Sequence, residues 1–281
     1  MRWVTDPFNA PYMQRALLEM VLLSALSALA GTLVLLRRMP FLADSLSHTV
    51  FPGVALAFAA GTSLFAGALV AAALSSLVIA AAGRQKRIDP EAVMALLVGS
   101  FFSIGVIVVS RQRSFNADLT ALLFGRLLTV DSTTIAQTLI VLAVVALAVV
   151  LVGKELVLRA FDPVGTRALG YHAVLLDLTT VAVVALVVVA GARAVGTALV
   201  ITLLISPAAT ARLITDRLMR LVPLAFVTAM VGSAIGLIIS YRASLDHGVR
   251  LPPGATVTVV LTSMFVIAFI VTRATQKMAH R

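Results

Sequence analysis

No cysteine occurs among the 281 residues of this chain. Disulfides, thiolate metal sites and cysteine nucleophiles are excluded together, and the redox compartment is left unmarked. Charge is also scarce: Asp, Glu, Lys and Arg make up 12% of the sequence, against about a quarter in an average soluble domain. A chain this poor in charge cannot cover a globular surface with polar groups. Signatures of hydrolytic chemistry are missing as well. There is no GxxxxGK[ST] phosphate loop, because Gly153-Lys154 lacks both the upstream glycine and a following hydroxyl residue. Neither HExxH nor GxSxG is present. With no visible means of hydrolysing ATP, any uphill work must draw on a partner or an ion gradient.

What remains is apolar: 60% of the residues are hydrophobic, and the mean hydropathy is +1.07. Runs of about 20 apolar residues are the length a helix needs to cross a bilayer. They fall near 17–36, 41–60, 64–83, 91–110, 132–153, 173–191, 196–215, 221–240 and 254–273. The expected fold is all-α, a polytopic membrane protein of about 8–9 transmembrane helices, with 41–60 and 196–215 discontinuous. The first run, LLEMVLLSALSALAG, has the look of a signal-peptide core. It continues through TLVLL to Arg37 and Arg38, and Asp6 and Glu19 take the place of a clean basic leader, so it reads as a retained helix. No stretch separates soluble domains, and residues 1–281 are expected to form a single membrane domain.

The net charge of +10 and pI near 11.3 do not mark a nucleic-acid binder, since no basic patch is interleaved with aromatics. The basic residues sit in short loops. Arg37, Arg38, Arg84, Lys86, Arg87, Lys154, Arg159, Arg167, Arg217, Arg220, Arg273, Lys277 and Arg281 fall on one side, which should be cytoplasmic. Arg111, Arg113, Arg193, Arg242 and Arg250 fall on the other. The N-terminus is therefore expected outside and the C-terminus inside. A longer outer connection holds DLTALLFGRLL at 118–128, which suggests a short helix or re-entrant piece.

Asp44 and His48 stand inside the apolar stretch FLADSLSHTVFPGVALAF. Ionisable residues at membrane depth are costly and mark function by default. On a helix the i, i+4 spacing puts both on one face. A hard oxygen beside a borderline nitrogen suits a divalent transition metal better than an alkali ion. The same spacing also serves a purely structural clip, in which Asp44 orients the imidazole. Pro52 and Gly53 follow at once and are expected to kink or break the helix, exposing carbonyls to a cavity. Ser206-Pro207, followed by the small residues of PAATA, is expected to interrupt a second span beside the pathway. GSAIG at 232–236 fits small-residue helix packing.

On the cytoplasmic side, FDPVGTRALGYH begins a short helix at Asp162, with Pro163 in the first helical position and Gly170 ending it left-handed after Ala168. Such a piece is either an ordinary capped loop or a docking element. Of the remaining candidates, His247 suits a solvated outer loop, while His172 and His280 take no role. Asp177 sits near the start of a span, and Glu91 suits a helix start after Pro90.

Taken in order, these segments resemble the permease subunit of the manganese/zinc/iron uptake family of ABC transporters, over nearly the whole chain. ADSLSHTVFPGVALAF after Arg38 is similar to its second-helix signature, and DLTALLFGRLL to its segment ending in Leu-Phe-Gly. AFDPVGTRALG at 160–170 is similar to its coupling segment, AVGTALVITLLISPAATARLI at 194–214 to its most distinctive stretch, and LPPGATVTVVL at 251–261 to its last helix. The resemblance implies metal passage at Asp44 and His48. It implies ATPase contact through the 160–171 segment, at Phe161, Asp162, Gly165, Ala168 and Gly170. It further implies a second permease copy, two cytoplasmic ABC ATPase subunits, an extracellular metal-binding protein, and a transported Mn, Zn or Fe ion with no permanently bound cofactor. Two departures stand out: Ala43 replaces the usual glycine, and the loop RASLDHGVR is long. A siderophore- or cobalamin-type permease would not need the Asp44–His48 pair, and an ion-coupled secondary carrier would not need the coupling segment. Too few polar residues converge for an intramembrane enzyme, and a scaffold leaves Asp44 without purpose.

Overall fold

The computed structural model describes residues 8, 10–82, 89–110, 125, 127–246 and 251–279. The DLTALLFGRLL segment lies mostly outside the described residues, as do His247, His280, Arg84, Lys86, Arg87, Arg111, Arg113, Arg250 and Arg281. Among the described residues the chain is helical, with no strand. That outcome follows from the solvent: a backbone in hydrocarbon must satisfy its own N–H and C=O groups, and a helix does so within one segment. The helices are α1 Pro11–Leu36, α2 Phe41–Thr49, α3 Phe51–Ala59, α4 Leu64–Ala82, α5 Pro90–Ser110, α6 Ser132–Phe161, α7 Pro163–Ala168, α8 Ala173–Val195, α9 Thr197–Ile214, α10 Leu218–Asp246 and α11 Pro253–Ala279. With α2 and α3 counted as one crossing and α7 as none, they supply nine spans. An odd number of crossings sends the two ends of the described chain to opposite faces.

The core forms around α1, which packs against α6, α8, α9 and α10. In α1, 67% of the most apolar window is buried, against 17% in α5, α6 and α11, which ring the outside. Hydroxyl side chains within spans bond back to their own helix. Ser24 donates to the Met20 carbonyl at 2.6 Å, Thr32 to Ala28 at 2.7 Å and Ser75 to Ala71 at 2.8 Å. These three hydroxyls are thereby satisfied without leaving their own segments, whereas Ser45 and Thr138 bond across to other helices.

Between helices, small residues permit the backbone approach that lipid-embedded association depends on. A Cβ on Gly31 would lie 2.0 Å from the Leu204 carbonyl oxygen in α9. The GSAIG motif packs as its pattern predicts, with Gly232 against Leu261 and Gly236 against Val257 of α11.

The two spans expected to be discontinuous behave differently. The 41–60 span is interrupted at Val50, which separates α2 from α3 while keeping right-handed helical angles (φ −73°, ψ −27°). Pro52 is not the gap itself but lies at the start of α3. Its ring nitrogen cannot give the carbonyl of His48 its regular i+4 donor. The 196–215 span, by contrast, is not broken at Ser206-Pro207. α9 runs unbroken through Pro207, which is buried. The chain turns instead at Gly196, whose φ of +82° is open to glycine and strained for most other residues. Span ends also shift: α6 continues to Phe161, well past the expected end near residue 153. At 30 residues it is about 45 Å long.

Candidate functional site

The two candidate ligands occupy α2, the short segment entering the bundle just after α1. Leu42, Ala43 and Leu46 face inward and are fully buried, which fixes the helix's rotation. Ser45 adds a cross-tie, donating to the Met94 carbonyl of α5 at 3.4 Å. That rotation turns Asp44 and His48 to the opposite face. Asp44 Oδ1 and His48 Nε2 are 3.7 Å apart, with side chains 37% and 36% exposed. The separation exceeds a hydrogen bond but leaves both groups able to address one ion. Phe102 of α5 stands edge-on to the imidazole at 6.0 Å and leans against Phe51 at 5.5 Å, forming an aromatic wall. Among the described residues, no cluster of three or more His, Asp or Glu surrounds any point. The pair lies partly exposed on the outer face of a single chain, within a span-length apolar segment.

Pro52 and Gly53 lie one turn beyond the pair, and the role of Gly53 differs from the expected break. It sits in contact with Gly67 of α4, where a Cβ on either would collide with the other's carbonyl. Ser206 does not turn toward the pair either. Its hydroxyl donates to the Leu261 carbonyl of α11 at 2.9 Å.

The short helix α7 is built as its residues dictate. Asp162 Oδ1 accepts from the Gly165 backbone N–H at 2.7 Å, capping the helix with Pro163 in its first turn. Thr166 is buried and donates to the Asp162 carbonyl at 2.7 Å. Gly170 adopts φ +81° just beyond. Phe161, Val164, Ala168 and Leu169 are exposed, so this end of the bundle presents an apolar knob on a rigid, capped base. It lies at the same end as the start of α2, since α1 and α6 both end there.

A third group had no sequence signal. Asp177, on the first turns of α8, receives Arg159 from α6 as a two-pronged pair, Nε to Oδ1 at 3.1 Å and a terminal nitrogen to Oδ2 at 2.9 Å. Arg37, at the end of α1, bonds the same Oδ1 and reaches the Leu176 carbonyl at 3.4 Å. The side chains of Arg37, Arg159 and Asp177 are 10%, 14% and 28% exposed. Burial lowers the pKa of the Arg37 guanidinium from its usual value, opposed by the hydrogen bond and charge of Asp177. Glu19 was also missed. It is fully buried in α1, and its Oε1 accepts from Thr138 of α6 at 2.7 Å, while Oε2 finds no partner among the described residues.

Nine apolar spans among the described residues, one of them interrupted and carrying a carboxylate–imidazole pair, and a capped helix exposed at one end fit a multi-pass membrane permease. The chain belongs to the ABC 3 transport family, whose model matches residues 9–272. It is 34% identical over 259 residues to the manganese transport system membrane protein MntC of Listeria monocytogenes, covering 92% of this chain and 90% of the relative. It is 28% identical over 268 residues to the chelated iron transport system membrane protein YfeD of Yersinia pestis, covering 95% and 85%. Among solved structures, PsaBC from Streptococcus pneumoniae in complex with Fab superposes with a TM-score of 0.81 at 27% identity, covering 95% of this chain and 94% of that one.

Proposed function

We propose that this chain is the membrane subunit of an ATP-driven importer of a divalent transition metal, with Asp44 and His48 lining the metal's path. The observation that carries the reading is the outward-facing pair itself. A carboxylate and an imidazole 3.7 Å apart, each little more than a third exposed on a membrane span, are unfavourable against lipid. They become favourable when a second copy covers them. Two copies meeting on this face would supply two carboxylates and two imidazoles, the coordination number that divalent ions such as zinc accept. Manganese is the first cargo to test, because MntC is named for it; zinc and iron share the same donor preferences. The metal is cargo, and no permanently bound cofactor is proposed.

Energy enters through partners, since the sequence carries no nucleotide-binding loop. Two cytoplasmic ATPase subunits dock, one on the α7 knob of each copy, using Phe161, Val164 and Leu169 against a capped helix that resists deformation. An extracellular metal-binding protein delivers the ion from the other side. The pair is accessible first outward and then inward as the copies rearrange. Capture requires an ionised Asp44 and a neutral His48, so metal affinity falls as either donor is protonated.

The test is uptake of Mn2+, Zn2+ and Fe2+ into liposomes holding the permease with its ATPase and binding protein. Asp44→Ala and His48→Ala are compared with the wild type. Loss of uptake in both variants, with assembly intact, is the expected result. Wild-type uptake in both would make the pair a structural clip and remove the metal path from these residues.

A further inference from the structure

We infer that Asp177 is a positioning residue that transmits movement of the α7 coupling segment to the helix bearing Asp44 and His48. The inference rests on the reading of this chain as an ATPase-coupled metal permease. Its basis is where the three members of the ion network stand along the chain.

Arg159 is three residues from Asp162, the cap that holds α7. Asp177 lies on the first turns of α8, the helix that leaves the coupling segment. These two side chains therefore close the base of the α6–α7–α8 excursion with a two-pronged pair, whose planar fork fixes orientation as well as distance. Arg37 stands at the other border. It is the C-cap of α1, followed by Arg38 in the left-handed region (φ +55°) and by the turn that starts α2 at Phe41. Asp44 is less than one turn into that helix. A single carboxylate thus joins the root of the coupling segment to the root of the ligand-bearing helix.

Among the described residues α7 packs chiefly on α6 and α8, so a push on its exposed knob passes into those helices. α8 also packs on α2, and both helices place apolar residues in the same core cluster, a kind of contact that tolerates sliding. Ion pairs sheltered from water do not slide in the same way. Breaking one contact leaves a largely buried guanidinium uncompensated, so the members move together or the network re-forms as a unit. Two guanidiniums share one carboxylate, so a displacement of Arg159 reaches Arg37 through Asp177. Coupling between sites requires such a discrete element rather than proximity alone.

The test uses the complete complex in liposomes, measuring ATP hydrolysed and Mn2+ taken up in the same preparation. Asp177→Asn keeps the shape and removes the charge. Arg159→Lys keeps the charge and removes the fork, and serves if the first variant fails to assemble. The expected result is intact assembly, ATP hydrolysis within about twofold of wild type, and Mn2+ moved per ATP lowered about fivefold or more, the lower end of ordinary coupling strengths. An unchanged Mn2+-to-ATP ratio in the assembled variant overturns the inference, whether both rates stay normal or both fall together with thermal stability. A wild-type complex that hydrolyses ATP but moves none of Mn2+, Zn2+ or Fe2+ overturns the functional reading beneath it. That outcome is distinct from a variant that keeps the wild-type ratio.

Discussion

The contact between Gly53 and Gly67 sets the position of α3, the helix that follows the Asp44–His48 pair. A Cβ added to Gly53 would lie 2.2 Å from the Gly67 carbonyl oxygen and 2.6 Å from the Ala71 Cβ. One added to Gly67 would lie 2.3 Å from the Gly53 oxygen and 2.6 Å from the Ala57 Cβ. The obstructing atoms are backbone or Cβ, so no side chain can swing aside. A carbon rests against a carbonyl oxygen at about 3.3 Å, so Gly53→Ala must part α3 and α4 by about 1 Å, the difference between 3.3 and 2.2. Overpacking of this kind costs about 1–3 kcal/mol. The contact is reciprocal, so the gap opened by one methyl admits the other. The double variant should then cost less than the two singles added, with a coupling energy of about 0.5 kcal/mol or more. Unfolding in increasing SDS, followed by loss of helicity, measures all four proteins. Single variants with unchanged midpoints would refute the close approach, and fully additive losses would refute its reciprocity.

Other expectations follow from single contacts. Thr138→Val removes the only donor found for the buried Glu19 carboxyl among the described residues and should destabilise the protein by about 1–3 kcal/mol; an unchanged SDS midpoint would show that Glu19 has another partner. Ser206→Ala deletes the bond to Leu261 and should cost about 0.6 kcal/mol, the mean for such bonds in membranes, without lowering Mn2+ uptake beyond the loss of folded protein. Gly165→Ala puts a methyl 2.1 Å from Asp162 Oδ2, so the α7 cap, worth about 0.5–2 kcal/mol, is lost. Weaker retention of the ATPase on the immobilised permease is expected, and normal retention would separate α7 from docking. His48→Cys introduces the chain's only thiol, which should form a disulfide-linked dimer on oxidation; a protein that stays monomeric under oxidant would mean that these faces do not meet.

Much of this architecture is legible in the sequence, because a bilayer allows few solutions. Apolar runs of spanning length became spans, and the i, i+4 spacing of Asp44 and His48 placed both on one face of α2. The Asp162 cap and Gly170 terminus were legible because capping is local chemistry. Where the reading faltered, the reasons are physical. Pro207 looked like a break, yet a proline removes only one helical donor, and packing against neighbours holds α9 straight through it. The real corner, Gly196, follows Arg193 in the pattern of a helix end and could have been found there. The expected end of α6 falls too early because Lys154 and Arg159 read as loop charge, although both are sound helix formers. The Arg37–Asp177–Arg159 network could not be read at all. Its members are separated by up to 140 positions, and only the packing of α1, α6 and α8 brings them together.

The unbroken length of α6 has a mechanical consequence. At about 45 Å it exceeds a hydrocarbon core of about 30 Å, and α7 follows at its tip with only Asp162 between. The helix is therefore a lever with its fulcrum in the membrane and its load at the knob. A change in tilt of about 5° about the middle of a rod of that length sweeps Phe161 sideways by about 2 Å. Since long spans answer a thicker or thinner bilayer by changing tilt, the position of the knob is tied to membrane thickness, and lipid composition becomes a setting of the machine.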